Sequence, residues 1–345
     1  MQQDTREIRA TSIAVREANL TDHRPILTGL TRRFLSADAD EKRYEWLYRE
    51  NPFGEARVWI ACDKSDRAIG MAALFPRDMY YGDAIVRGCV LGDFCVAPEH
   101  RTLGPALQLQ RACLRAVQSE EFAVAYDFPS GTMLAIYKHL GIQPLEQSVR
   151  MAKVLRADRI SGQLKVPGVS RALVGTANFV LGMEDRVSAA PSKFEFALQA
   201  GPCGPEYSEL AEETGSSLGT CTMRTAEYLN WRYRRHPHVE YEFLTARRGN
   251  QLLAYCAFTQ SADNATVAEF FGKPDDYRVL TGLLRKLAAL LRNRGVATLS
   301  LPILSTDPRI RQLRRVGFRA REAVPVLVLG RHRSQVMLMH GDRES

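Results

Sequence analysis

The sequence predicts an α/β fold with a mixed (α+β) sheet, built as two tandem copies of one unit. Three observations predict it. WLYRENP (46–52) and WRYRRHP (231–237) are both W-x-Y-x-x-x-P, and the second begins 185 residues after the first. At the same offset VWIACDKSDRAIGMAALF (58–75) overlies FLTARRGNQLLAYCAFTQ (243–260), each reading as strand, polar turn and second strand. Further along, at an offset of 176, GDFCVAP (92–98) overlies AEFFGKP (268–274) and YKHLGI (137–142) overlies LRRVGF (313–318). Asp93 then stands over Glu269, and Gly141 over Gly317. Order and spacing agree together, as expected of a repeated supersecondary unit.

Taken in order, SIAVREANLTDHRPILTGL opens the first copy as a short strand and a helix with Thr21 or Asp22 as N-cap. The strand meander follows. GDFCVAP is its last strand, and an apolar helix starts at about Pro105 and carries LQLQRACLRAV. FAVAYDF is the next strand; FPSGT (128–132) then supplies Ser130 as N-cap of the helix bearing Tyr137. VRMAKVLRA (149–157) closes the copy. VPGVSRALVGTANFVLGM reads as a linker helix, too rich in Ser, Arg, Asn and Gly for a membrane span. The second copy starts near Phe194 and closes with AVPVLVLG. The expected domains are 1–157 and 194–345, with 158–193 as linker.

Composition narrows the function classes. The 345 residues are 45% hydrophobic and 25% charged, an ordinary globular balance. The first residues lack the apolar core of a signal peptide, which places the protein in the cytoplasm. Seven scattered cysteines form no C-x-x-C, and no H-E-x-x-H is present, so no metal site is expected. His236 and His238 read as a solvated loop. A net charge of +8 favours anionic partners: a nucleotide cofactor, an acidic carrier protein or nucleic acid. Without aromatic interleaving or an RNA-binding signature, nucleic acid is the weakest of these.

CVAPEHRTLGPALQL (95–109) carries most of the functional information. A turn entering a helix offers backbone N–H groups without intrahelical acceptors, plus the positive end of the helix dipole, and so suits a phosphate. Gly104 and Ala106 would let a ligand approach the backbone, and Arg101 would add charge-assisted hydrogen bonds. The competing reading is a plain start to a packed helix.

This stretch, V-x-P-x-x-R-x-x-G-x-A before an apolar helix, resembles the acyl-CoA-binding motif of the GNAT superfamily of N-acyltransferases. Tyr137, four residues before Gly141, and the opening IAVREA with its Asp-headed helix are similar to further features of that family. The resemblance covers 13–157 well and 194–330 as a degenerate second copy. It implies two tandem GNAT-like domains and transfer of an acyl group from acetyl-CoA or another acyl-CoA to a primary amine. The acceptor class it implies is a small-molecule or glycan amine, such as an amino sugar or polysaccharide precursor. It assigns cofactor binding to Phe94, Cys95, Val96, Arg101, Thr102, Leu103, Gly104, Pro105 and Ala106. Asp93 becomes the candidate general base, and Tyr137 the acid that protonates the leaving thiolate.

The chain departs from the family at Thr102 and Leu103, where Gly and a basic or polar residue are usual, and at Pro105, which removes one N–H donor. Two alternatives stay open: a Fem-like transferase using an acyl carrier protein or aminoacyl-tRNA, and a non-catalytic CoA-binding pair. The sequence also leaves a homodimer open. In the second copy DDYRVLTGLL lacks the motif and Leu313 stands at the position of Tyr137. That copy is expected to bind no CoA, to cover the first copy's sheet edge and to wall the acceptor pocket. RIRQLRRVGFRAR (309–321), with six arginines, reads as a helix with Ile310 and Leu313 inward.

Overall fold

A computed structural model describes residues 13–144, 146–158, 194–330 and 336–343. The linker helix expected within 158–193 lies outside the described residues, apart from Asp158.

In the first half the order is β1 (Ala14–Glu17), α1 (Arg24–Phe34), α2 (Glu41–Tyr44), β2 (Arg57–Cys62), β3 (Ala68–Tyr81), β4 (Ala84–Val96), α3 (Leu103–Ala116), β5 (Val124–Asp127), α4 (Gly131–His139) and β6 (Glu146–Val154). The second half runs β7 (Glu195–Gln199), α5 (Pro205–Gly215), β8 (Thr220–Thr222), α6 (Ala226–Leu229), β9 (Glu242–Arg248), β10 (Gln251–Gln260), β11 (Asn264–Gly272), α7 (Tyr277–Asn293), β12 (Thr298–Leu304), α8 (Ile310–Arg315) and β13 (Arg319–Gly330).

The strands form one sheet ordered β1-β2-β3-β4-β5-β13-β6-β12-β11-β10-β9-β7, with β8 paired to β3. This order is a palindrome about the β13–β6 pair. Each half gives its last strand to the other: β6 pairs β12, and β13 pairs β5. VRMAKVLRA therefore does not close its own half, and AVPVLVLG closes the first half rather than the second. The exchange leaves β5 and β12 without a bare edge and makes the central pairing continuous.

The repeated motif explains how the halves are locked. WLYR and WRYR lie in wide π turns, Glu45–Arg49 and Asn230–Arg234, that extend α2 and α6. The two tryptophans face each other across the pseudo-twofold axis. Trp46 Nε1 donates to the Trp231 carbonyl at 2.8 Å, and Trp231 Nε1 donates to the Trp46 carbonyl at 2.7 Å. Their rings stack at 5.2 Å, worth about 0.5–1.5 kcal/mol beyond area burial. His236 packs on Trp46 at 4.4 Å and is half-buried, not the solvated loop residue expected.

The helices follow their apolar stripes. α3 buries Ala106, Leu109, Cys113 and Ala116 on the first half of the sheet. Its partner α7 buries Leu280, Leu284, Leu287 and Leu291 on the second. Ser130 caps α4, accepting from the Met133 N–H at 3.3 Å. Neither Thr21 nor Asp22 caps α1. Their N–H groups are taken by the Asn19 side chain, and the helix starts at Arg24, with Pro25 in its first turn. α8 has Leu313 inward as expected, and Arg309 before it is buried against Asp307. Among the described residues no helix is long and apolar enough to cross a membrane.

Candidate active site: a cleft where β4 parts from β5

The site begins as a defect in a ladder. β3 and β4 pair in constant register from Tyr81↔Ala84 to Ala73↔Gly92, then resume at Met71↔Cys95. One extra β4 residue is thus accommodated beside Asp93, whose φ of 42° lies in the left-handed region. β4 pairs with β5 in parallel only over Gly88–Val90, although β4 runs on to Val96. Beyond that point the strands part. A cavity of about 300 Å³ opens between them, lined by Gly92, Asp93, Phe94, Asp127, Ser130 and Tyr137 among others.

The turn 97–104 follows directly on β4, whose Gly92, Asp93 and Phe94 line the cavity. The helix starts at Leu103, two residues before the expected Pro105, so Pro105 is its third residue. Thr102 is the N-cap but makes no side-chain cap hydrogen bond. The first-turn N–H groups of Leu103 and Gly104 therefore have no acceptor within the helix, while Pro105 offers none. A Cβ on Gly104 would meet nothing within 4 Å, and its backbone is not left-handed. Neither packing nor backbone conformation requires glycine here; close approach of a ligand would. Arg101 is exposed but folds back, its Nε donating to the Val96 carbonyl at 3.2 Å. Leu103 is 45% exposed beside the turn. Cys95 and Val96 are buried, and Phe94 is half-buried on the cavity wall. Burial pushes the Cys95 thiol up to about 12, which leaves it unreactive as a nucleophile at neutral pH.

The sequence brings Asp93 and Tyr137 to one cavity, but in different states. Asp93 is not an open base. Its Oδ1 accepts from Arg43 Nη2 at 2.9 Å, and its Oδ2 accepts from Arg43 Nη1 at 2.9 Å and from the Tyr48 hydroxyl at 2.6 Å. Both oxygens are committed to a bidentate ion pair. Tyr137 is fully buried in α4; its hydroxyl donates to Asp127 Oδ2 at 2.6 Å and accepts from Gln110 Nε2 at 3.1 Å. Asp127 ends β5. Burial pushes its carboxyl up to about 6, against the opposing hydrogen bond from Tyr137.

Asp127, Gln110 and Arg43 were not singled out in the sequence, and Tyr48 stood out only as part of the W-x-Y motif. One signal was available for Asp127: in FAVAYDFPS it is an acid at the end of an apolar strand, just before the turn into α4.

The second half has the same opening, and the chain fills it. β11 and β12 pair over Ala265 and its neighbours and then part, as β4 and β5 do. The C-terminal segment 336–343 lies in the gap: Met339 bridges Ile303, and Gly341 sits tightly against Tyr233 and the Ala268 carbonyl. Asp342 Oδ2 accepts from Arg224 Nη2 at 2.7 Å, and Arg224 Nε donates to Glu269 at 3.2 Å, all fully buried. Leu313, at the place of Tyr137, is buried. The second half was expected to wall the acceptor pocket. Among the described residues, every lining residue of this cavity comes from 35–137. The second half adjoins it through Leu327, paired with Asp127, and Arg343, stacked on Phe128 at 4.6 Å.

Residues 14–145 match the family model described as an acetyltransferase (GNAT) domain. The whole architecture is similar to that of a GCN5-related N-acetyltransferase from Anabaena variabilis, with a TM-score of 0.65 and 11% identity over 92% of this chain and 73% of that one. A conserved Enterococcus faecalis protein of unknown function gives 0.65 and 8%, over 92% and 72%. A GCN5-related N-acetyltransferase from Kribbella flavida gives 0.60 and 14%, over 92% and 71%. At these identities the likeness is one of fold. Comparison with curated proteins finds no match.

Proposed function

We propose that the chain is an N-acyltransferase that moves an acyl group from an acyl-CoA to a primary amine, using one active site in the cleft between β4 and β5. The observation that carries the reading is the turn 97–104 that follows β4. It has orphan first-turn N–H donors, a glycine with open space where a side chain would stand, and an exposed arginine. That is the chemistry of a pyrophosphate seat, and the strand before it lines a cavity that also holds a phenol and a carboxylate, Tyr137 and Asp127.

In this reading Leu103 and Gly104 bind phosphate through their N–H groups, the small Ala106 leaves room for the ligand, and Arg101 supplies charge. Phe94, Cys95 and Val96 line the path of the thioester arm beside the β4 bulge. Thr102 and Pro105 shape the turn without a side-chain or N–H contribution, respectively. Tyr137 holds its hydroxyl at the place where the thiolate departs. The acceptor is a small amine, with amino sugars and glycan precursors the first class to try. The second half, its cleft occupied by residues 336–343, binds no CoA and serves as a partner that completes the first half's sheet.

The test is thiol release by the purified full chain with acetyl-CoA and longer acyl-CoAs, against a pool of amino sugars, amino acids and polyamines. Thiol release dependent on one amine class, with a matching acylated product by mass spectrometry, is expected. No release and no acyl-CoA binding at millimolar concentration would remove the reading.

A further inference from the structure

The sequence nominates Asp93 as base, yet the structure carries an internal control against it. Tyr48 and Tyr233 are equivalent in the two W-x-Y motifs. Tyr48 donates to Asp93 at 2.6 Å, and Tyr233 donates to Glu269 at 3.2 Å. Each acid also accepts from an arginine, Arg43 or Arg224. The tyrosine–acid–arginine contact therefore recurs in the half whose cleft is filled by the chain's own C-terminus. A feature present where no substrate can enter belongs to the fold: it holds the bulged strand against the motif turn.

Asp127 and Tyr137 behave oppositely. Asp127 pairs Leu327 on β13; the equivalent pair in the second half is Leu301 with Met151. Tyr137 is matched by Leu313. Both polar groups are thus replaced by leucine in the filled half. The sheet and helix do not need them, and burying them has a desolvation cost that an apolar pair avoids. They occur together only where a cavity exists for them to face.

Resting on the acyltransferase reading, we propose that Asp127 and Tyr137 form one proton-transfer pair: Asp127 takes the acceptor amine's proton, and Tyr137 supplies the proton that leaves on the thiol. The balance closes without another reactant. The amine nitrogen forms a bond to the acyl carbon as its proton passes to Asp127. The carbon–sulfur bond breaks, and the thiolate takes the phenol proton of Tyr137. The proton on Asp127 then crosses their 2.6 Å hydrogen bond to the phenolate, restoring both groups. Gln110 holds the phenol oxygen from the other side. The remaining groups around the carboxylate are the buried Cys113 thiol on α3, the Arg43–Asp93 ion pair across the cavity, and Arg343 from the C-terminal segment on Phe128. A carboxyl raised to about 6 suits a base that must be ionised at neutral pH yet accept a proton readily.

The experiment is the pH profile of kcat/KM for acetyl-CoA, with the most active amine of the pool, for wild type and three variants. Wild-type activity is expected to rise through about pH 6 as the base ionises. Asp127→Asn, nearly isosteric, is expected to lose about 10²–10⁴-fold in kcat, to lose the acidic limb, and to keep its KM for acetyl-CoA within about threefold. Tyr137→Phe removes a hydrogen bond that favours the carboxylate, so its residual activity should show the limb moved to higher pH. This variant also covers the case in which Asp127→Asn folds poorly. Asp93→Asn should keep the limb where it is. An Asp127→Asn enzyme with near-wild-type kcat and an unchanged limb overturns the pair. So does loss of the limb in Asp93→Asn instead. Absence of acyl-CoA binding by the wild type would remove the parent reading, and this proposal with it, an outcome distinct from a normal wild type with an indifferent Asp127.

Discussion

Arg224→Met is expected to lower the stability of the full chain by about 3–5 kcal/mol, on the order of 10 °C in Tm. Arg224 is wholly buried, bonded on one side to Glu269 and on the other to Asp342, with its Nη1 on the Thr222 carbonyl. Glu269 already has its carboxyl raised by burial, and Arg224 is what opposes that shift. Removing the guanidinium leaves two carboxylates close together in an interior with little water. One must take up a proton or the C-terminal segment must leave. Replacing the whole set with Arg224→Met, Glu269→Gln and Asp342→Asn should recover much of the loss, because no buried charge is left unpaired. Thermal and urea unfolding of the single and triple variants checks this. A single variant as stable as wild type would mean that the segment 336–343 is not seated as described.

Gly104→Glu is expected to act the other way: no loss of stability, with acyl-CoA affinity reduced by about 100-fold, or about 2.7 kcal/mol. A side chain at 104 meets open space, so it creates no clash. Glycine in the first turns of a helix is a conformational liability, so the helix itself gains from the change. A carboxylate there would, however, occupy the proposed phosphate seat, take its N–H donors and repel the ligand. Gly104→Ala should show the same separation more weakly. Calorimetric titration with acetyl-CoA alongside a melting curve measures both sides. Unchanged affinity in Gly104→Glu would show that this turn is only a helix start.

The repeat was legible because its carriers are chemically demanding. A tryptophan that must pack and also donate its indole N–H leaves a pattern that survives when most other residues have diverged. The turn at 101–106 drew the proposal of a phosphate seat for a similar reason, since few residues suit close approach to a backbone. The strand exchange was not. The apolar pattern of VRMAKV and PVLVLG shows that each is a strand with a face to bury, but either edge, β5 or β12, would accept either strand. Register and partner are decided by the whole sheet. Asp93 was found because its motif neighbour drew attention to it, but its ion pair comes from Arg43, 50 residues away on another element. Asp127 was passed over because a single acid at a strand end is common. Its meaning depends on Tyr137, ten residues further on in α4, donating to it at 2.6 Å.

The filled second cleft gives the repeat a division of labour. One half keeps the opening, the cradle and the polar pair. The other has leucine in place of that pair and closes its opening with residues 336–343, while lending β13 to the first half. Calorimetric titration of the intact protein with acetyl-CoA is the most direct check on that division. One site per chain is expected, lost in Gly104→Glu and retained in Asp127→Asn. Two sites per chain, or none, would contradict it.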